Sequence, residues 1–369
     1  MRILYVTTVQ GTMNFFPAHI QMLQEQGHTV ELACCIEGEL PPRVAALGCT
    51  AHHIPFSRKP LSAKNKLAYR ELKRLLRENR YDIVHTHTPN ASALVRLACR
   101  KLRKKGLKVF YTAHGFHFYK GAPLKNWLIY YPVEKLLSGC TDVLITINSE
   151  DYRRARRSFD ALDIEYVPGV GMDTEHFCDR TYKAGQRRLE AGIPDDAFFL
   201  LSVGELNENK NHETVIRALA ECPSDDIYYV ICGAGGKEEA LIKLARELGV
   251  EDRVKLMGTR RDIAQWMADA DIYMFPSYRE GLSVSLMEAM TSGLPIICSD
   301  IRGNRDLVKT ESGGFLCRPN DVRGFAERIQ LLKGAPELRR QMGIYNREAV
   351  QKFSKERVLD KLRELYHQG

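Results

Sequence analysis

Between Glu280 and Glu288 the chain reads Glu-Gly-Leu-Ser-Val-Ser-Leu-Met-Glu, two carboxylates bracketing a glycine, two serines and an apolar turn. Gly281 lets backbone approach a ligand closely, and Ser283 or Ser285 can cap the helix that follows. The free N–H groups of that helix start, with the positive end of its dipole, form a seat for a phosphate. An acid just before the seat and another one or two turns inside can accept hydrogen bonds from hydroxyls flanking the phosphate. Sugar hydroxyls on one side and ribose hydroxyls on the other are the layout of a nucleotide sugar. Glutamates at this spacing also occur on plain solvated helix faces. Context separates the two readings: 271–275 is a β-run ended by Pro276 and Ser277, and ligands in open α/β sheets bind at the carboxyl ends of strands.

The elements that would position this motif alternate along the whole chain. Strands are predicted at 2–8, 29–35, 51–54, 82–86, 108–113 and 142–147, with helices at 15–26, 63–78, 91–104 and 126–138. Further strands fall at 198–203, 227–232, 254–257, 271–275, 295–298 and 314–316, with helices near 210–221, 237–248, 261–268, 284–292 and 321–333. Such alternation predicts α/β architecture, each half carrying its own doubly wound parallel sheet. A length of 369 residues also favours two domains. Pro168-Gly169-Val170-Gly171-Met172-Asp173 cannot continue a helix or a central strand, so the divide is placed there. The expected domains are 1–168 and 169–353, facing each other across a cleft, with the amphipathic segment 354–369 packing back on the first.

Composition is that of a globular protein, 44% hydrophobic and 27% charged. The opening Met1–Thr8 reads as a short strand rather than a signal peptide, and no apolar run reaches the length of a bilayer span. Ten cysteines without a CxxC pair read as reduced thiols in a cytoplasmic protein. The net charge of +8 is uneven: residues 1–165 hold 25 Lys and Arg against 14 Asp and Glu, the remainder 29 against 32. The N-terminal half is thus expected to meet an acidic partner, nucleic acid or an anionic membrane surface.

With these pieces in place the chain resembles glycosyltransferase family 4, the large retaining group with the GT-B fold of two Rossmann-like domains. The likeness runs from Arg2 to about Phe353. It is carried by Gly204-Glu205-Leu206-Asn207-Glu208-Asn209-Lys210, the Pro168–Asp173 hinge with Phe177, 231–235, 254–258 and the Glu280–Glu288 pair. Stretches 82–90, 112–116 and 301–306 are similar to the subgroup that makes capsular and extracellular polysaccharides. The resemblance implies roles. Lys210 would neutralise the leaving diphosphate, where a cation stabilises the transition state most. Glu288 would hold the ribose, Glu280 the transferred sugar, and the backbone N–H groups of Gly281, Leu282 and Ser283 the sugar and diphosphate. Met257 would meet the base through its main chain, beside the lysine loop opened by Gly204. Gly11 and Thr12, after the first strand, would close over the phosphates, and His114 would sit near the donor sugar. One departure stands out: Glu205 occupies the place where many relatives carry an arginine. Arg302, Arg305, Asn207 or Asn209 could take over its work.

The remaining candidates have competing readings. Lys210 can be read as a surface lysine and His114 as a strand-end histidine. His85 and His87 alternate along a strand and have no acid or cysteine at ligand spacing, so no metal site is expected among His85, His87, His114 and His117. Asp269-Ala270-Asp271 has the DxD form of a metal motif but ends a helix and begins a strand, where Asp acts as cap and breaker. The basic runs 100–105 and 153–157 fit either solvated helix faces or contacts to anionic lipid. The aromatic stretch 115–131 contains Gly121 and Pro123 and reads partly as core, partly as an acceptor loop on a membrane. No RRM, KH or helix-turn-helix pattern supports nucleic acid. The expected protein is therefore a metal-independent, cofactor-free glycosyltransferase, peripheral on the inner face of the cell membrane. It takes a UDP-sugar donor and a lipid-linked saccharide acceptor. The alternative is a non-hydrolysing UDP-sugar epimerase of the same architecture.

Overall fold

The computed structural model describes residues 1–175, 177 and 185–368. The chain divides into two compact units, Met1–Gly171 together with Lys355–Gly369, and Met172–Ser354. The first unit holds strands β1 (Arg2–Val9), β2 (Thr29–Cys35), β3 (Ala51–His53), β4 (Ile83–Thr86), β5 (Lys108–Ala113), β6 (Val143–Thr146) and β7 (Asp163–Tyr166). They form one parallel sheet in the order β3-β2-β1-β4-β5-β6-β7. Helices cover both faces, which is why Ile3, Leu4, Tyr5 and Val6 are all buried without alternation. The strand order reverses between β1 and β4, and this leaves a crevice outside their carboxyl ends.

The helix Lys355–Gln368 belongs to this unit: Val358, Leu362 and Tyr366 share a core cluster with Tyr5 and Phe16. The Tyr366 hydroxyl bonds His85 Nδ1. Gly171 explains why the chain can pass so close to that helix. It has φ +86, and a Cβ there would lie 2.9 Å from Lys355 Cα.

One buried ion pair ties two helices of this unit together. Arg96, on the helix Pro89–Arg103, is 1% exposed and donates from Nη1 to Glu134 Oε2 at 2.8 Å. Its guanidinium lies 4.3 Å from the centre of the Tyr111 ring, whose hydroxyl donates to Glu134 Oε1 at 3.3 Å. Removing one partner strands the other charge in a dry site. Arg96→Ala is expected to destabilise the first unit by about 3–5 kcal/mol. The joint change Arg96→Met with Glu134→Leu should cost much less, both read from urea unfolding midpoints.

The second unit holds β8 (Phe198–Val203), β9 (Ile227–Cys232), β10 (Val254–Leu256), β11 (Ile272–Phe275), β12 (Ile296–Ser299) and β13 (Gly314–Cys317). They too form a parallel sheet, ordered β10-β9-β8-β11-β12-β13. Here the order reverses between β8 and β11. The lysine loop follows β8 and the first glutamate follows β11, so both motifs leave the sheet at its switch point.

Candidate active site

The loop after β8 and the loop after β11 are joined by backbone and amide contacts. Tyr278 N donates to Asn209 O at 2.8 Å, Asn209 Nδ2 to Arg279 O at 3.0 Å, and Asn211 Nδ2 to Pro276 O at 3.1 Å. These contacts hold Lys210 against Glu280, with Nζ 2.9 Å from Oε1. The ammonium also lies 4.8 Å from the centre of the Phe275 ring. The Lys210 stem runs across Gly204, where a Cβ would come within 3.1 Å of its Cε. With side-chain exposures of 20% and 17%, Lys210 and Glu280 both reach solvent. An ammonium has three N–H donors, and Glu280 takes one, so Lys210 can still bind an anion.

The helix Val284–Thr291 starts beside this pair. Ser283 has extended backbone, φ −85 and ψ 122, and its Oγ accepts from Leu286 N, so Ser283 rather than Ser285 is the cap. The other first-turn N–H groups lack intrahelical acceptors, as in any helix start. The Gly281 loop is held from behind by the helix Arg302–Leu307. Arg302 Nε donates to Glu280 O at 3.1 Å, and a Cβ on Gly303 would lie 2.2 Å from Gly281 O. Only glycine at 303 permits that approach. On the second turn of the capped helix stands Glu288. Burial pushes its carboxyl up to about 7, and among the described residues it has no hydrogen bond or ion pair. Met257, just past β10, donates its N–H to Ile231 O at 3.0 Å and lies on the same carboxyl edge of the sheet.

Residues 17–169 match the family model described as a glycosyl transferase 4-like domain, and residues 186–349 the model described as glycosyl transferases group 1. EpsD of Bacillus subtilis, named as a glycosyltransferase, is 41% identical over 319 residues, covering 85% of this chain and 83% of EpsD. The chain belongs to glycosyltransferase family 4. A second relative of this glycosyltransferase is the Escherichia coli UDP-Gal:alpha-D-GlcNAc-diphosphoundecaprenol alpha-1,3-galactosyltransferase, 30% identical over 303 residues, 80% of this chain and 77% of that one. The Anabaena protein HepE, solved with UDP and glucose, superposes with a TM-score of 0.83 at 18% identity over 100% of both chains. That likeness shows the GT-B fold. The matched relatives are transferases, which disfavours the epimerase alternative.

The first unit of the glycosyltransferase carries the remaining candidates. Gly11 and Thr12 lie in a 3-10 segment, Gln10–Phe15, rather than an open loop. Gly11 is exposed, while Thr12 lines a pocket of about 510 Å³ with Thr8, Arg58, Thr88, Tyr111 and Glu134. This pocket sits at the β1/β4 reversal. His114 Nε2 is 3.4 Å from His87 Nδ1, and its ring centre is 5.8 Å from that of Phe16. Burial lowers His114 to about 4, so the imidazole is neutral at physiological pH. His85 and His87 lie on one face, as residues two apart along a strand do, with ring centres 4.1 Å apart, which corrects the expectation that they cannot face a common point.

Several sequence-level alternatives are resolved. Asp269 accepts from the N–H groups of Gly185 and Arg187, and Asp271 from Arg188 and Phe199 N. These acids thus tie structure together at the amino end of β11, the opposite edge from Lys210. Glu205 is exposed. Arg305 donates to Asp300 at 2.6 Å; of the other candidate substitutes for the family arginine, Arg302 and Asn209 bond the glutamate loop directly, and Asn207 accepts from Lys210 N within the lysine loop. Phe275 and Gly303 are parts of the site that sequence reasoning assigned no role. An apolar strand end and a lone glycine carry no local sign of what they will touch.

Proposed function

We propose that this glycosyltransferase moves a hexosyl or N-acetylhexosaminyl group from a UDP-sugar to a lipid-linked glycan, with retention of anomeric configuration. The product would feed a surface polysaccharide, a capsule or exopolysaccharide, made at the inner face of the cell membrane. The observation that carries this reading is Glu288, a half-buried carboxylate with no hydrogen bond or ion pair among the described residues, one turn beyond a serine-capped helix start. It needs a donor of two hydroxyls, and a ribose supplies them. Lys210 then meets the diphosphate, the amides of Gly281, Leu282 and Ser283 complete its seat, and Glu280 takes hydroxyls of the transferred sugar. Met257 faces the base. Gly11, Thr12 and His114 would act from the first unit, where the 510 Å³ pocket is the proposed acceptor seat. The E. coli relative named for UDP-Gal and a diphosphoundecaprenol acceptor, and HepE solved with UDP-glucose, support this choice of donor and acceptor class.

In the reaction the acceptor hydroxyl attacks the face the nucleotide leaves. Its proton passes to a donor phosphate oxygen, the glycosidic bond forms and the sugar–phosphate bond breaks. No protein nucleophile is required, and Lys210 supplies the positive charge that the departing diphosphate needs, so turnover should be independent of a divalent ion. The deciding experiment offers a panel of nucleotide sugars with bacterial lipid extract and with EDTA, and reads products by mass spectrometry and linkage analysis. A glycolipid formed from a UDP-sugar supports the proposal. Epimerised UDP-sugar without acceptor, or no transfer from any donor, overturns it.

A further inference from the structure

The helix Leu124–Ser138 carries apolar residues on its outer as well as its inner side. Its inner side is accounted for: Trp127, Tyr130 and Tyr131 are partly buried against Phe116 and Phe118. Its outer side has no such cover among the described residues. Leu128, Ile129, Val133 and Leu136 are 69%, 58%, 48% and 77% exposed and recur at helical three- and four-residue steps. Leu124 (71%) opens the same helix. A helix with large apolar side chains on both its inner and outer sides is expected to be covered on both.

The surrounding charge says by what. Between Lys120 and Lys135 the one carboxylate is Glu134, turned inward to Arg96. On one flank, held by that ion pair, the helix Pro89–Arg103 ends in the exposed Arg100, Lys101, Lys104 and Lys105 of its last turn and the residues just after it. On the other, the helix Ser149–Ser158 is fixed by Lys135 Nζ to Ser158 O at 2.9 Å and by Arg154 stacked 4.5 Å from the Trp127 ring centre. It presents Arg153, Arg156 and Arg157 to solvent. The two basic runs therefore border an apolar stripe, the arrangement of an element lying in a bilayer interface over anionic headgroups. Ile129 and Val133 also line the 510 Å³ pocket, so the stripe is continuous with the proposed acceptor seat. Among the described residues no helix is long and apolar enough to cross a membrane, so the contact is interfacial.

We infer that the outer face of the helix 124–138 inserts into the interface of a bilayer containing anionic phospholipid, between two basic flanks. This rests on the reading that the acceptor is lipid-linked. The test is sedimentation of the full chain with vesicles of phosphatidylglycerol and phosphatidylethanolamine. Native protein should bind, and retain part of its binding at 1 M salt, where headgroup attraction is screened. Leu128→Ser with Leu136→Ser should lower partition at least tenfold, and Leu136→Trp should shift its fluorescence to the blue on the same vesicles. Native-like partition of the double variant overturns the inference, as does no vesicle binding by native protein. A dimer in solution that the double variant dissociates would assign the face to a second copy instead and equally overturn it. UDP binding measured on each variant reports the donor site and fold separately, so failure here is distinguishable from failure of the transferase reading.

Discussion

Lys210→Ala is expected to lower kcat/KM by about 10²- to 10³-fold, the usual cost of removing one preorganised charge aimed at developing negative charge. The pairing with Glu280 at 2.9 Å makes the loss larger than that of a simple cation. With Lys210 gone, Glu280 is left as an uncompensated carboxylate beside the diphosphate seat. Like charges there repel the donor as well as leaving its departing oxygens unassisted. The double variant Lys210→Ala with Glu280→Gln should therefore recover part of the donor affinity that the single change destroys, without recovering kcat. Isothermal titration with UDP and steady-state rates separate the two quantities. If Lys210→Ala keeps near-native kcat/KM, Lys210 is not the diphosphate cation. The proposed site then fails with it.

What could be read from the chain follows how local each piece of physics is. Strands β8 and β11 were legible because parallel strands covered on both faces are apolar throughout, and each motif follows its strand directly. β7 was not, since Asp163-Ile164-Glu165-Tyr166 buries a single apolar residue at the sheet edge. The helix Ser149–Ser158 shows in the sequence only as a basic run because just Asp151 and Ala155 of it are buried. The choice between Ser283 and Ser285 as cap depends on one extended backbone residue, which spacing cannot decide. The prop behind Gly281, made by Arg302 and Gly303, is a contact between loops of neighbouring strands and leaves no periodic trace. The outward Leu and Ile of 124–138 were masked by the aromatic residues interleaved with them, which drew attention to the face that is in fact the inner one.

Glu288→Gln should separate stability from binding. The carboxyl sits at about 7 when folded against 4.5 as its ordinary value. Between those values the folded protein holds a proton that the unfolded chain has released, so this group makes stability fall as pH rises through that window. Above pH 7 the cost is complete, on the order of 3 kcal/mol, part of which a buried amide would also incur. The glutamine variant should thus be more stable than native protein at pH 8, by roughly 1–2 kcal/mol, and no more stable at pH 4.5, as thermal melts at both pH values will read. Donor binding should move the other way. Ribose hydroxyls donate most strongly to the ionised carboxylate, so native affinity for UDP should weaken as pH falls below 7, and binding near pH 7 should release a proton. Glu288→Gln should bind UDP about 10- to 100-fold more weakly at pH 8, with a flat pH profile, and should no longer distinguish UDP from its 2′-deoxy analogue. A variant that is both more stable and weaker in binding cannot be explained by misfolding. A half-buried acid that strains the fold without a ligand is what a site kept for a hydroxyl-bearing ligand should contain.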